Sequence, residues 1–298
     1  MAGLFVLYSA GFEHLSLRIN TSNPKAEALE AKGWEKQKTN LNFAATNKQT
    51  QMRALYFKEI KSFLSSIIGY IFILIYLIAS GLLHWLMPNN KYLYVNLLEG
   101  SESSLVPFFT ISPFILMILI PAITMRMIAE ERRTGTIELL FTRPISDLNI
   151  LLAKYLAGVT LVFISLVPTL IYYVSMHYLG SPVGILDDGA TITSYLGLLL
   201  LGAVFVSIGV FASSLTNNQI VAFIVGVFLC FIFYSGFTLL GSYVLLGKVD
   251  SVMQYVSLSF HYDSIMKGVI VTSDLVFFLS IIFIFQVAAL TVIKTLKR

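Results

Sequence analysis

Charge is scarce in this sequence of 298 residues, because Asp, Glu, Lys and Arg together make up only 12% of it. A soluble domain carries about 25% charged residues and about 45–50% apolar ones. Here 57% of the residues are hydrophobic. This composition excludes an ordinary soluble domain and predicts a membrane protein.

Cysteine is almost absent as well. The single cysteine, Cys230, excludes a disulfide within the chain and a cysteine-based zinc cluster. The net charge of +4 could suggest nucleic-acid binding, but the basic residues are not gathered in one soluble stretch. We therefore expect no nucleic-acid partner.

Motifs for catalysis are also missing. The sequence contains no G-x-x-x-x-G-K-[ST] phosphate-binding loop, no H-E-x-x-H and no G-x-S-x-G. We therefore expect that the chain is not an enzyme. It should have no catalytic residues, no metal site and no cofactor of its own.

Long apolar runs are abundant. About 20 mostly apolar residues are needed for a helix to cross a bilayer, because backbone groups find no water in the hydrocarbon core. Six runs qualify, at about residues 67–87, 108–128, 148–179, 192–215, 219–246 and 275–293. The sequence predicts an all-α, polytopic membrane protein with six transmembrane helices.

Basic residues flank these runs unequally, and such residues are enriched in cytoplasmic loops. One side carries Arg53, Lys58, Lys61, Arg126, Arg132, Arg133, Arg143, Lys154, Lys294, Lys297 and Arg298. The other side carries Lys91, Lys248 and Lys267. We predict that both termini are cytoplasmic and that Arg126 and Lys154 extend toward the membrane surface.

The region before the first span divides in two. Residues 52–66 place Tyr56, Ile60 and Phe63 on one helical face and Lys58 opposite, which predicts an interfacial amphipathic helix. The alternative is that this helix prolongs the first span. Residues 1–51 are polar and weakly patterned, so we expect a disordered or artefactual extension with Met52 as the natural start.

The loop after the second span reads EERRTGTIELLFTRP over residues 130–144. Gly135 interrupts helical propensity, Thr136 is a suitable N-cap, and Glu138 falls in the first turn, where the helix dipole favours negative charge. Pro144 ends the helix at about Arg143. We predict a helix of about seven residues here.

This short helix needs something to pack against, because it is marginal in water alone. Ile137, Leu140 and Phe141 share one face, and Glu130, Glu131 and Arg132 precede the helix. The residues allow two interpretations. In the first, the apolar face rests on lipid headgroups and the helix is a linker. In the second, the face docks a soluble partner whose orientation the charges fix.

The segment PAITMRMIAEERRTGTIELLFTRPISDLNILLAKYLAGV resembles the first cytoplasmic loop of ABC-2 type transporter permeases. The matching positions are Glu131, Gly135, Thr136, Glu138, Leu140, Pro144 and Lys154. The resemblance includes a six-helix transmembrane domain that begins at residue 67. It covers about residues 53–298 and leaves the first 51 residues outside. It implies that the segment within 129–147 is the coupling helix that seats in an ATP-binding subunit.

The resemblance also implies partners and a location. These are an ABC ATP-binding subunit that holds ATP and Mg, a second permease chain in a homo- or heterodimer, the lipid bilayer, and a periplasmic accessory subunit as a further candidate. The location is the bacterial inner membrane. Within the family, the chain looks most like gliding-motility-associated permeases, which implies an exporter. The segments that carry this likeness are PAITMRMIAEERRTGTIELL, RPISDLNILLAKYLAG and GVFASSLTNNQIVAF. The alternative is a non-transporting anchor or mechanical linker of a motility complex.

Two further features carry predictions. Pro121 and Pro168 lie within spans and are candidate hinges, although kinked helices also simply pack well.

Between spans five and six, helical spacing around Tyr255 predicts two short helices. The family resemblance implies that these helices are re-entrant. Tyr255, His261, Asp263 and Lys267 are the candidate residues of this outer segment. For His261 and Asp263 a structural turn is favoured over a metal site.

Overall fold

The computed structural model describes residues 51–89, 96–97, 104–142, 145–180, 186–242 and 253–297, and no strand occurs among them. The helices are α1 (51–65), α2 (Ile67–Gly81), α3 (Val106–Thr124), α4 (Arg126–Arg133), α5 (Thr136–Phe141), α6 (Asp147–Leu166), α7 (Leu170–Leu179), α8 (Asp188–Leu215), α9 (Gln219–Phe231), α10 (Phe237–Ser242), α11 (253–256), α12 (Leu258–Met266) and α13 (Thr272–Leu296).

Six helical segments are long and apolar enough to cross a bilayer, which confirms the predicted architecture. Spans one to six are Ile67–Leu86, Val106–Arg133, Asp147–Leu179, Asp188–Leu215, Gln219–Gly241 and Thr272–Leu296. Spans two, four and six extend past the predicted apolar runs, and a polar cap is present at the start of span four. The Asp187 carboxylate accepts the Ala190 N–H at 2.9 Å and starts span four before its apolar run.

Span four forms the centre of the bundle. In its apolar stretch 78% of residues are buried, compared with 22% in span five. Glycines allow this close packing, since a Cβ on Gly209 would collide with Thr124 of span two and one on Gly202 would lie 2.8 Å from Val162 of span three. Spans two and three are thereby held directly against span four.

Helix α1 is separate from span one, because Ser66 between them has an extended backbone, with φ −93° and ψ 144°. The alternative that α1 prolongs span one is therefore wrong. We call the end of the bundle that carries α1, α4, α5, the start of span three and the end of span six the basic end. That α1 lies in the membrane interface stays a prediction.

Both candidate hinge prolines lie near helix irregularities. Span two is interrupted at Met125, one turn after Pro121, and span three contains a 3₁₀ turn at Val167–Thr169 that includes Pro168. Proline lacks the N–H that continues the α-helical pattern, so a local break is the expected consequence. Hinge motion at either position stays a prediction.

Candidate functional site

The loop between spans two and three turns at one glycine. Helix α4 ends at Arg133, Gly135 has a φ of +72°, and α5 begins at Thr136. The predicted N-cap role of Thr136 is wrong, because the left-handed Gly135 occupies the cap position and makes Thr136 the first helical residue. Glu138 does lie in the first turn of α5.

The apolar face of α5 points into the protein. Leu140 is only 9% exposed and packs in a cluster with Leu55, Ile150 and Ala153, while half-buried Ile137 and Phe141 contact the main core. The expectation that this whole face is exposed is therefore wrong, since Leu140 is buried, while docking of a partner through Ile137 and Phe141 stays a prediction. A six-residue helix has few hydrogen bonds of its own, so it is stabilised by burying its apolar side against its own bundle.

The opposite side of α5 faces outward. We call the exposed residues Thr134 and Gly135 just before α5, together with Thr136, Glu138 and Leu139 of α5, the tip surface. Leu139 has 67% of its surface exposed, and within the described residues Glu138 makes no ion pair. The tip surface thus combines an exposed leucine with an unpaired carboxylate. The predicted coupling residues Arg143 and Pro144 lie outside the described residues.

Behind the loop, Lys154 of span three is buried between two carboxylates. Its ammonium lies 2.7 Å from Glu131 Oε1 on α4 and 3.3 Å from Glu59 Oε1 on α1. The Lys154 side chain is only 2% exposed, so the prediction that it extends to the membrane surface is wrong. Two carboxylates on neighbouring helices hold it inside instead.

These three residues, which we call the Lys154 triad, connect three helices that are separate in sequence. A buried charge must be paired, and removing one partner of a buried pair costs about 3–5 kcal/mol. Replacing Lys154 would also leave two carboxylates facing each other. The triad therefore fixes α1, α4 and span three relative to one another.

A second polar contact ties α4 to span four. The Ser213 hydroxyl accepts the N–H groups of Ile128 and Ala129 at 3.1 and 3.0 Å and donates to the Met125 carbonyl at 2.9 Å. These are backbone groups next to the interruption of span two at Met125. Ser213 thus satisfies polar groups that the break would otherwise leave without partners.

Arg132, one of the predicted coupling residues, also contacts span four. Its guanidinium donates to the Ser214 carbonyl at 2.6 Å, in the last turn of the span. A cation at a helix C-terminus is favoured by the helix dipole. Glu130 instead pairs with Arg133 at 3.0 Å on the surface of α4.

Glu59, Ser213 and Ser214 belong to no functional motif in the sequence. Glu59 follows Lys58 in the amphipathic helix, yet it is buried against span three. A signal for the serines exists in GVFASSLTNN, where two adjacent hydroxyls end an apolar span. Their partners lie 82 to 88 residues away, so local pattern could not identify the contacts.

At the other end of the bundle, His261 lies in helix α12, so the predicted turn at His261 and Asp263 is wrong. Helical periodicity simply continues through both residues. The two ring nitrogens of His261 contact Asp274 Oδ1 at 2.7 Å and the Tyr255 carbonyl at 2.9 Å. Its ring stacks on Phe277 with centroids 4.0 Å apart, so His261 fastens α12 to the start of span six.

The other candidates of the outer segment lie at its surface. Tyr255 and Lys267 are exposed, and partial burial raises the pKa of Asp263 while Lys267 opposes that rise. The two short helices predicted for this segment are present as α11 and α12. Their entry into the outer leaflet stays a prediction.

Comparison with known families gives one match. The family model described as ABC-2 family transporter protein matches residues 3–297. The match begins well before residue 53, so the family pattern also includes the segment that the sequence analysis left outside the resemblance. No significant match to a curated protein was found.

Proposed function

The chain belongs to the ABC-2 family of transporter proteins, and from that premise we propose that its tip surface docks an ABC ATP-binding subunit. The family makes it a multi-pass transmembrane permease of an ABC transporter, typically the subunit without the ATPase. In this proposal ATP and Mg are bound by the partner subunit. Helix α5 serves as the coupling helix.

The observation that carries this proposal is the exposure of Leu139 beside an unpaired Glu138 at the end of a tightly held loop. Leu139 is 67% exposed although its neighbour Leu140 is buried. An exposed apolar side chain next to a free charge suits a protein interface with a buried centre and a polar rim. Leu139 would supply the apolar contact and Glu138 the orientation.

The contacts behind the tip surface support transmission of movement. Helix α4 is held to span four by Ser213 and to span three by Glu131, and Glu59 extends the connection to α1. A displacement of the tip surface would therefore move spans two, three and four together. We propose that this is how ATP-driven movement reaches the pathway.

Further elements of the proposal concern assembly and location. Only 28%, 22% and 28% of the apolar stretches of spans one, five and six are buried within the chain, which leaves faces for lipid and for a second permease chain.

The excess of Lys and Arg at the basic end supports an inner-membrane orientation with both termini cytoplasmic. A role in export for gliding motility is supported only by the sequence resemblance of residues 121–140, 143–158 and 209–223.

A second candidate function is a non-transporting mechanical linker driven by the same ATP-binding subunit. The tip surface and the Lys154 triad suit it equally, because both functions need rigid transmission. The two differ in whether transported compounds stimulate ATP turnover. Screening compounds against the reconstituted complex distinguishes them, since a linker should show no compound-dependent turnover.

The docking proposal is tested by co-purification of the ATP-binding subunit with Leu139→Asp. The change places a charge at an exposed position, so the permease should insert and fold normally while losing at least about 90% of the bound subunit. Leu215→Asp is the matched control, since Leu215 is 45% exposed at the basic end but lies outside the loop. Wild-type recovery with Leu139→Asp would contradict the proposal.

A further inference from the structure

A groove runs between α1 and span three at the basic end. It encloses about 360 Å³. It is lined by Arg53 and Tyr56 of α1, by Leu156 and Phe163 of span three, and by Leu199 of span four. Between Leu156 and Phe163 the groove extends for about 10 Å along the helix axis.

The groove opens on an apolar surface of the bundle. Leu156 and Phe163 are 40% and 52% exposed, and Phe57 on the adjoining surface of α1 is 65% exposed. Exposed apolar side chains on transmembrane spans face hydrocarbon rather than water. A lipid chain can therefore enter sideways from the membrane.

The residues that line the groove suit a lipid, which has a hydrocarbon chain and a charged headgroup. Inside the groove, the Tyr56 and Thr160 hydroxyls bond to each other at 2.8 Å and so satisfy one another. At the α1 side Arg53 is exposed, and within the described residues it makes no ion pair. The groove thus combines an apolar interior with a guanidinium that has no ion pair among the described residues, and a guanidinium binds phosphate oxygens well.

The charge of α1 as a whole points the same way. Lys58 and Lys61 are exposed on the same helix as Arg53. A basic amphipathic helix at a membrane surface attracts anionic lipids. A zwitterionic lipid such as phosphatidylcholine also carries a phosphate, but its ammonium group cancels the net negative charge that a basic helix attracts.

We propose that this groove binds one anionic phospholipid from the leaflet at the basic end. An acyl chain lies along span three, and the phosphate pairs with Arg53. The bound lipid packs between α1 and span three, next to the segment of α1 that carries Glu59. The proposal does not depend on the docking role of the tip surface.

The test measures lipid binding to the full, delipidated chain in detergent. Phosphatidylglycerol and phosphatidylcholine with identical acyl chains are titrated while bound lipid is counted by native mass spectrometry. We expect one site that prefers phosphatidylglycerol. Arg53→Gln should weaken that binding at least about fivefold, whereas Lys58→Gln, the matched control on the same helix, should change it less than about twofold.

Two further arms separate the alternatives. Leu156→Trp, at an exposed position, should fill the groove and abolish the tight site while the protein stays monodisperse. Soluble glycerol phosphate should not compete, because it lacks the acyl chain. Equal effects of Arg53→Gln and Lys58→Gln, unchanged binding in Leu156→Trp, or competition by glycerol phosphate would overturn the proposal, and so would wild-type protein that binds both lipids equally.

Discussion

The two faces of helix α5 differ more than their sequence suggests. Leu139 and Leu140 are adjacent and chemically identical, yet one is 67% exposed and the other only 9%. The inward face holds the loop to the bundle, and the tip surface is left free. In this loop Leu140 is therefore part of the chain's own core, and we propose that a partner contacts the exposed residues beside it.

The largest expected effect comes from removing the support behind the inward face. Lys154→Met leaves Glu59 and Glu131 as two unpaired, largely buried carboxylates, so the free energy of unfolding should fall by about 3–5 kcal/mol. The loss is measured as a lower midpoint of thermal unfolding in detergent. Because the triad holds the loop that carries the tip surface, we also expect this variant to lose the bound ATP-binding subunit.

A matched variant separates charge from packing at this position. Lys154→Met combined with Glu59→Gln and Glu131→Gln removes all three charges and should recover most of the lost stability, because neutral replacements of a buried ion cluster are often tolerated. If the triple variant is as unstable as Lys154→Met alone, the two carboxylates are not the cause.

A smaller effect is expected on the inward face itself. Leu140→Ala should lower the free energy of unfolding by about 2 kcal/mol, near the lower limit for a buried leucine because the site lies at the edge of the bundle. Leu139→Ala, the control, should change it by less than about 0.5 kcal/mol. Equal losses of stability in the two variants would remove the difference between the faces.

The smallest effect concerns the charge on the tip surface. If Glu138 pairs with a basic residue of the ATP-binding subunit, Glu138→Gln should weaken binding at least about tenfold, or about 1.4 kcal/mol, and reduce its salt dependence. A helix-dipole role alone is worth about 0.3–1 kcal/mol in the stability of α5 and leaves docking unchanged. The measurement is the affinity of the ATP-binding subunit for wild type and Glu138→Gln in nanodiscs at two salt concentrations. A change in affinity below about threefold at both concentrations would mean that Glu138 only stabilises the helix.

The spans could be predicted from sequence because bilayer thickness fixes their length and hydrocarbon fixes their composition. The loop helix could be predicted too, since Gly135 and the spacing of Ile137 and Leu140 are local signals. The direction of its faces could not, because it depends on Leu55 and Ile150 of other helices. Periodicity identifies an apolar face but not the surface that covers it.

Lys154 illustrates the same limit for charge. A lysine near the end of a span usually extends to the membrane surface, and its sequence neighbourhood gives no other signal. Here it turns inward because Glu59, 95 residues away, and Glu131 meet it across helix interfaces. Only the packing of both α1 and α4 against span three brings these carboxylates within reach.

The central claim is that the tip surface, not the inward face, contacts the ATP-binding subunit. Site-specific cross-linking tests it directly, because the native cysteine, Cys230, is buried and leaves the chain suited to single-cysteine labelling. A photoactivatable thiol reagent is placed on Leu139→Cys and, in parallel, on Leu140→Cys. We predict that the ATP-binding subunit is captured from position 139 and not from position 140; capture from 140 alone, or equally from both, would contradict the account.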